Sequence, residues 1–232
     1  LIWVMPAEEA IMVNTSLIFA GGLAPSDLTL HAVNKIEQVE LVFAADSGLH
    51  IAQKLGLHVD AIIGDMDSVD VNALAEAKSR GTKIIQHDRD KNFTDLHSAL
   101  LYAAECGTKK IVVVTAGGGR LDHQLGVIAA MFDPQLRQTQ VEAIWDNEEI
   151  FALQGPASCE FSAEVEDIVG LQAFSASAVG ISTTGLRWKL NNESLFSHET
   201  RGVSNQATQT RVAVSVLTGQ LLVIHQMKEK TK

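Results

Sequence analysis

Ile111-Val112-Val113-Val114-Thr115-Ala116-Gly117-Gly118-Gly119-Arg120-Leu121-Asp122-His123 is the stretch on which the fold turns. A continuous apolar run reads as a strand buried on both faces, and such strands belong to parallel sheets covered by helices. The glycines that follow let backbone N–H groups come close to a phosphate, and a helix opening after them adds its positive dipole end. A tight strand-to-helix turn would use the same glycines. Arg120, placed just beyond, has the planar fork that grips phosphate oxygens two at a time. The run contains no Gly-x-x-x-x-Gly-Lys-Ser/Thr and no Gly-x-Gly-x-x-Gly in a βαβ setting, so nucleotide binding here rests on another pattern.

Working outward, short apolar runs alternate with helix-length amphipathic segments as far as residue 147. Strands are expected at Leu17–Ala20, Leu41–Asp46, Ala61–Gly64, Lys83–Gln86, Ile111–Thr115 and Val141–Trp145. Between them, Asp70–Lys78 reads as a helix stopped by Gly81. A second helix is capped by Thr94, carries Asp95 in its first turn, repeats Leu96, Ala99, Leu100 and Ala103 on one face, and ends near Gly107. Beyond Asn147 the helical period vanishes. Strand-like runs Asp167–Phe174, Val179–Thr183, Thr210–Val216 and Leu221–His225 follow one another, with Gly185 and Gly219 at turns. The expected architecture is α/β: a Rossmann-like open parallel sheet with helices on both faces, then a C-terminal all-β sandwich. The expected division is a loosely held segment 1–16, an α/β domain 17–147, and a β-sandwich 148–232.

Composition sets limits on this picture. The 232 residues are 46% hydrophobic and 20% charged, with mean hydropathy +0.11, as in ordinary globular proteins. A net charge of −10 repels nucleic acid and anionic membranes, so neither is an expected partner, while a small polyanion needs metal ions and backbone N–H groups to reverse the field locally. Cys106 and Cys159 match no metal or redox spacing, and the N-terminal run bearing Glu8 and Glu9 lacks a basic leader region. Both point to a reducing, cytoplasmic setting.

Ligands of open parallel sheets gather where loops leave the carboxyl ends of strands. Four of those loops are acidic here: Asp46 ends one apolar run, Asp65 and Asp67 with Ser68 follow the next, Asp88 and Asp90 the next, and Asp122 lies beyond the glycines. Taken singly, an Asp in such a loop is as readily a helix cap or turn former. Two acids and a hydroxyl in Gly64-Asp65-Met66-Asp67-Ser68 exceed what a cap needs. Carboxylates about 4 Å apart repel by about 4 kcal/mol at an effective dielectric of 20 and call for a cation. Hard oxygen donors beside a phosphate suit Mg²⁺, with Asp65, Asp67 and Asp95 as its expected ligands.

Ala45-Asp46-Ser47-Gly48, Gly64-Asp65-Met66-Asp67-Ser68, Thr94-Asp95 and Gly118-Gly119-Arg120-Leu121-Asp122-His123 together resemble, in order, the motifs of the thiamine pyrophosphokinase family. Gly185-Leu186-Arg187-Trp188 and Val203-Ser204-Asn205 resemble its thiamine-side segments, so the likeness runs from about residue 17 to 225. The resemblance implies a homodimer with thiamine lodged between subunits, and transfer of a diphosphate from ATP to the thiamine hydroxyl. It implies Mg²⁺ on Asp65, Asp67 and Asp95. Nucleotide contacts would come from Asp46, Ser68, Thr94, Gly118, Gly119, Arg120 and His123, and thiamine contacts from Trp188, Ser204, Asn205 and Asp122. Asp65, Asp67, Asp95, Arg120 and Asp122 would then form the catalytic set, Asp122 accepting the hydroxyl proton.

On the residues alone, Trp188 is either a cation–π face for a cationic ring or an ordinary Trp of a strand. Ser204 and Asn205 read as turn formers, and His123 serves equally as a phosphate contact or a capping and packing residue. His87 and His97 lie near the acidic loops without ligand spacing. The chain departs from the family pattern at Asn92, where an Asp is usual, at Ser47, where a Gly is usual, and in Thr115-Ala116-Gly117, with Asp90 the candidate to restore the charge missing at Asn92. Two other functions share the acidic site: a diphosphokinase for another hydroxymethyl heterocycle such as a pterin, and a non-catalytic sensor of ATP or thiamine.

Overall fold

The computed structural model describes residues 13–88, 90 and 92–227; most of the expected segment 1–16 and the last five residues lie outside them. In chain order the strands are β1 Val13–Ala20, β2 Val39–Ala45, β3 Ala61–Gly64, β4 Lys83–Gln86, β5 Thr108–Thr115, β6 Gln140–Trp145, β7 Glu148–Gln154, β8 Ala157–Ser162, β9 Ile168–Ala173, β10 Ser177–Thr184, β11 Glu193–Phe196, β12 Asn205–Gln206, β13 Arg211–Val216 and β14 Gln220–Gln226. The helices are α1 Asp27–Val33, α2 Gly48–Lys54, α3 Val71–Ser79, α4 Asp95–Glu105 and α5 Leu121–Met131. Val13–Ser16, expected in the loose terminal segment, belong to β1, where Val13, Thr15 and Ser16 are buried and the Ser16 hydroxyl meets that of Thr108 at 2.8 Å.

A ten-stranded sheet runs β12-β9-β14-β7-β6-β5-β1-β2-β3-β4. The six strands from β4 to β6 pair in parallel and those from β7 onward antiparallel. Alternation along each strand explains why both faces need cover. Ile18, Phe43, Ile63, Ile111 and Val113 pack with Leu96, Ala99, Leu100 and Ala103 of α4 and Met131 of α5, whereas Leu17, Phe19, Val42, Ala44, Val112 and Val114 pack with Val33 of α1, Leu49 and Ala52 of α2 and Ala77 of α3. Helices therefore lie on both sides.

A second sheet, β11-β10-β13-β8, covers the antiparallel end. Phe151, Leu153, Val169, Leu171, Leu221 and Val223 of the large sheet enclose a sandwich core with Phe161, Ile181, Leu195, Val212 and Val214 of the small one. The change of texture after Asn147 coincides with the switch in strand direction. Hydrogen bonding nevertheless runs straight through it, since β6 and β7 form a hairpin at Asp146-Asn147. Ile150 and Leu222, from beyond that point, lie in the core under α4 and α5.

Candidate active site

The chain runs β1 to β4 toward one edge and then returns to place β5 on the other side of β1. The crevice at the carboxyl ends of β1 and β5 is thus the topological switch point, where open sheets bind ligands. Two glycine loops meet there. Gly117, Gly118 and Gly119 hold φ of 62°, 82° and 74° in succession, a left-handed run that side chains resist. The Leu23 N–H, just past Gly21-Gly22, donates to the Gly117 carbonyl at 3.2 Å. Gly21-Gly22 was no part of the sequence reading, although two glycines directly after Ile18-Phe19-Ala20 were the available signal.

Beside that crevice the carboxylates converge. Asp46, Asp65 and Asp67 each bring a carboxylate oxygen within 4.8 Å of the others. Asp46 ends β2, its N–H bonded to the Ile63 carbonyl at 3.0 Å, and takes φ 47°. In the following loop Met66 takes φ 65°, turning Asp65 and Asp67 to the same side, and the Asp67 N–H closes on Asp65 Oδ1 at 3.0 Å. Left-handed backbone at non-glycine residues is strain that clusters at functional sites.

Asp95 reaches the same place from the first turn of α4, whose N-cap is the Thr94 hydroxyl accepting from the His97 N–H at 3.2 Å. A Cβ on Gly64 would lie 3.0 Å from the Asp95 carboxylate and 3.2 Å from the Asp46 Cβ, so Gly64 is the spacer that lets the two acids close in. Burial, then the charges of Asp95 and Asp65 and more weakly Asp67, push the Asp46 carboxyl above its ordinary range, against a hydrogen bond from the Ser47 backbone. The Ser68 hydroxyl donates to Asp46 Oδ2, and Asp46 Oδ1 is buried with no hydrogen-bond partner among the described residues. A like-charged oxygen set, running from buried Asp46 through half-buried Asp65 to exposed Asp67 and with an unsatisfied member at its buried end, fits a hard cation that keeps some of its waters. The three-acid cluster contains Asp46 where the sequence reading placed Asp95 among the ligands; Asp95 stands against it.

The other expected residues fall into separate groups. Arg120 and Asp122 pair with each other on the rim, Nε to Oδ1 at 3.1 Å. The side-chain hydrogen bond from Arg120 pulls the Asp122 carboxyl below its ordinary value. His123 is exposed at the start of α5, its N–H on Asp122 Oδ1 at 3.0 Å. The Asp90 N–H bonds Asp88 Oδ1 at 3.0 Å within the loop after β4. His97, read as incidental, bonds Asp133 at 2.7 Å and meets the exposed Phe93 edge-on. Ser47 Oγ lies where a Cβ on Gly21 would stand, 2.3 Å from that position, so the hydroxyl fits because Gly21 has no side chain.

Trp188 lies in a bend after β10 and not in a strand, 55% exposed, with the Arg187 guanidinium 4.9 Å from its ring centre. Asn205 is buried and spends its amide on that bend: Oδ1 accepts from the Trp188 N–H at 3.1 Å and Nδ2 donates to the Trp188 carbonyl at 2.8 Å. Asn205 therefore shapes the Trp188 backbone, and exposed Ser204 precedes it with φ 60°. This group sits at β12, seven strands from β2. At about 4.8 Å per strand the two groups are on the order of 30 Å apart in one chain.

Fold and site define a class: an α/β protein that presents glycine loops and a cation-seeking carboxylate cluster at the switch point of its sheet. Comparison with known proteins narrows the class. The model for the thiamin pyrophosphokinase catalytic domain matches residues 32–144, and that for the vitamin B1 binding domain of the same enzyme matches 159–222. The chain belongs to the thiamin pyrophosphokinase family. Thiamine pyrophosphokinase 1 of rice (Oryza sativa subsp. japonica) is 28% identical over 165 residues, 67% of this chain but 62% of the rice protein, so the match spans under two thirds of that relative. The Bacillus subtilis thiamine pyrophosphokinase is 24% identical, covering 91% of this chain and 98% of the relative. Solved structures of the thiamine pyrophosphokinases of B. subtilis and Candida albicans share the fold, with TM-scores of 0.78 and 0.74 at 24% and 17% identity. They cover 93% and 97% of this chain, and 100% and 95% of their own. No helix among the described residues is long and apolar enough to cross a membrane.

Proposed function

We propose that this chain is a thiamine diphosphokinase, transferring the diphosphate of ATP to the hydroxyl of thiamine and releasing AMP. The observation that carries the proposal is the carboxylate cluster of Asp46, Asp65 and Asp67 beside the glycine loops, joined to membership of the family. Residues 17–147 act as the nucleotide half and 148–232 as the thiamine and dimerisation half of one continuous body. Asp46, Asp65, Asp67 and Asp95 are the residues that hold Mg²⁺. When bound, the ion neutralises charge on the phosphate oxygens and fixes their orientation.

The chain's own groups supply alignment and charge. Backbone N–H groups of Gly118 and Gly119 and the N-terminal turn of α5 face the phosphates, and Arg120 grips their oxygens. Ser68 and Thr94 hold Asp46 and the Asp95 turn in place. The thiamine oxygen attacks the β-phosphorus in line, forming the new P–O bond while the bond to the bridging oxygen breaks and AMP leaves with it; the hydroxyl proton passes to solvent water. Asp122, paired with Arg120 on the rim, orients that guanidinium toward the phosphates. Trp188 offers its exposed face to the cationic thiazolium, worth about 0.5–2 kcal/mol.

Because Trp188 and the acidic cluster are far apart in one chain, the complete site is formed between two copies, the acids from one and Trp188 from the other. Incubation with Mg-ATP and thiamine, followed by chromatography, is expected to yield AMP and thiamine diphosphate in equal amounts. Turnover of a pterin alcohol in place of thiamine, or binding of both ligands without AMP, would overturn the assignment. At thiamine concentrations well below KM, where Trp188→Ala turns over weakly, mixing it with inactive Asp65→Asn is expected to raise activity toward about a quarter of wild type, through heterodimers with one intact site; no rise above the Trp188→Ala protein alone would place the whole site within one chain.

A further inference from the structure

The sandwich core contains a charged group that the reaction leaves unused. His225 on β14 is 3% exposed, yet both ring nitrogens face carboxylates: Nδ1 lies 2.9 Å from Glu149 Oε2 on β7, and Nε2 lies 2.9 Å from Asp167 Oδ2 at the entry to β9. Phe161 of β8 stacks on the ring at 4.9 Å. Asp167 is as deeply buried as the imidazole, and its Oδ2 also accepts from the Glu164 N–H at 2.8 Å. A buried His–Asp pair is costly to build even with Glu149 at the solvent edge, and its stability is not the simplest reason to keep it.

Asp167 leads directly to Trp188. Its carbonyl accepts from the Ala207 N–H at 2.9 Å, and the Ala207 carbonyl accepts from the Glu166 N–H at 2.8 Å. Ala207 bridges Leu186, the Arg187 N–H donates to the Gln206 carbonyl at 2.9 Å, and Asn205 holds both backbone ends of Trp188. We infer that His225, clamped between Glu149 and Asp167, is a positioning residue for the heterocycle site, fixing the Asp167 turn from which the Ala207 and Trp188 backbones hang. The inference rests on the proposed reading of Trp188 as the thiamine face.

Protonation is built into the device. Burial opposes the charge on His225, but the hydrogen bonds and charges of Glu149 and Asp167 outweigh it and hold the ring protonated above its ordinary pH. Among the described residues the acids that act on the ring are Glu149 from β7 and Asp167 from the approach to β9; Phe161 of β8 stacks on it, and the faces of β10 and β13 that enter the same core are apolar at Ala178, Ile181, Val212 and Val214. As pH rises through the elevated value the clamp loses its charge, and the Trp188 segment loosens.

The test measures KM for thiamine, KM for ATP and kcat from pH 6 to 9 in the wild type, His225→Gln, Glu149→Gln and Trp188→Ala. In His225→Gln, KM for thiamine is expected to rise about tenfold with KM for ATP and kcat within about twofold. In the wild type the thiamine KM alone is expected to climb toward alkaline pH, a dependence that His225→Gln abolishes. If the thiamine KM of wild type is flat with pH, or if His225→Gln and Glu149→Gln leave it unchanged while Trp188→Ala raises it, the positioning role is wrong and the Trp188 reading stands. If Trp188→Ala also leaves it unchanged, both fall. Should His225→Gln fail to fold, the wild-type pH profile and Glu149→Gln decide.

Discussion

Lacking a side chain, Gly64 lets Asp95 and Asp46 approach until their charges act on each other, and that approach is where single residues matter most. The Asp46 carboxyl titrates above its ordinary 3.8, so the native state keeps the proton to a higher pH than the unfolded chain does. Stability therefore falls as pH rises through that window, and the ionised site stays strained at neutral pH until a cation binds. Asp46→Asn is expected to raise the melting temperature of the metal-free protein at pH 7, by about 2–4 °C for each kcal/mol of repulsion relieved. It should also remove the upward shift that Mg²⁺ gives the wild type; scanning calorimetry with and without the ion reads both effects. For Asp122, bound to Arg120, replacement by Asn is expected to lower kcat about tenfold, short of the ~10²–10⁴-fold loss of a general base. Asp65, Asp67 and Asp46 were legible because each follows directly on an apolar run. That Asp46 rather than Asp95 completes the tightest trio was not, since it depends on the left-handed turns at Asp46 and Met66.

At the scale of elements, the two helix caps separate stability from chemistry. Asp70 caps α3 by accepting from the N–H groups of Asn72 and Ala73 at 3.0 and 2.9 Å, and Thr94 caps α4 through His97. Each cap is worth about 1 kcal/mol. Asp70→Ala is expected to lower the melting temperature alone, whereas Thr94→Ala lowers it comparably and also cuts kcat about tenfold or more, because Asp95 rides on that first turn. Equal kinetics in the two variants would show that the α4 turn does not place Asp95. β2, β3, β4, β6, α3 and α4 could be read within a residue or two of their ends, since apolar runs and capping residues are local signals, whereas β1 and β5 begin four and three residues earlier than expected because Asn14, Thr15 and Ser16 and Thr108, Lys109 and Lys110 interrupt the apolar run. β7 and β8 were missed because Glu148-Glu149 and Ser158-Cys159-Glu160 break the apolar pattern. β12 has only two residues, too few for any period, and Asn205 there shows its role only through the bend it holds.

For the whole molecule, one hydrogen-bonded sheet runs through both of the halves expected from the sequence. Nothing local in Leu221–His225 reveals that β14 pairs with β7 and β9 or that Leu222 enters the helical core, because those pairings are non-local. With ten strands in one hydrogen-bonded sheet and Ile150 and Leu222 shared across the boundary, calorimetry is expected to show a single transition. Two resolved transitions would mean that the halves unfold independently.

The account rests on the carboxylate cluster as the place where cation and phosphates meet. Diffraction from crystals grown with Mn²⁺ and a non-hydrolysable ATP analogue, measured at the manganese absorption edge, reads that directly. The predicted result is an anomalous peak bounded by Asp46, Asp65 and Asp67, with the analogue's phosphates running from it toward Gly118 and Gly119. A manganese and nucleotide bound elsewhere, with those three carboxylates bare, would contradict it.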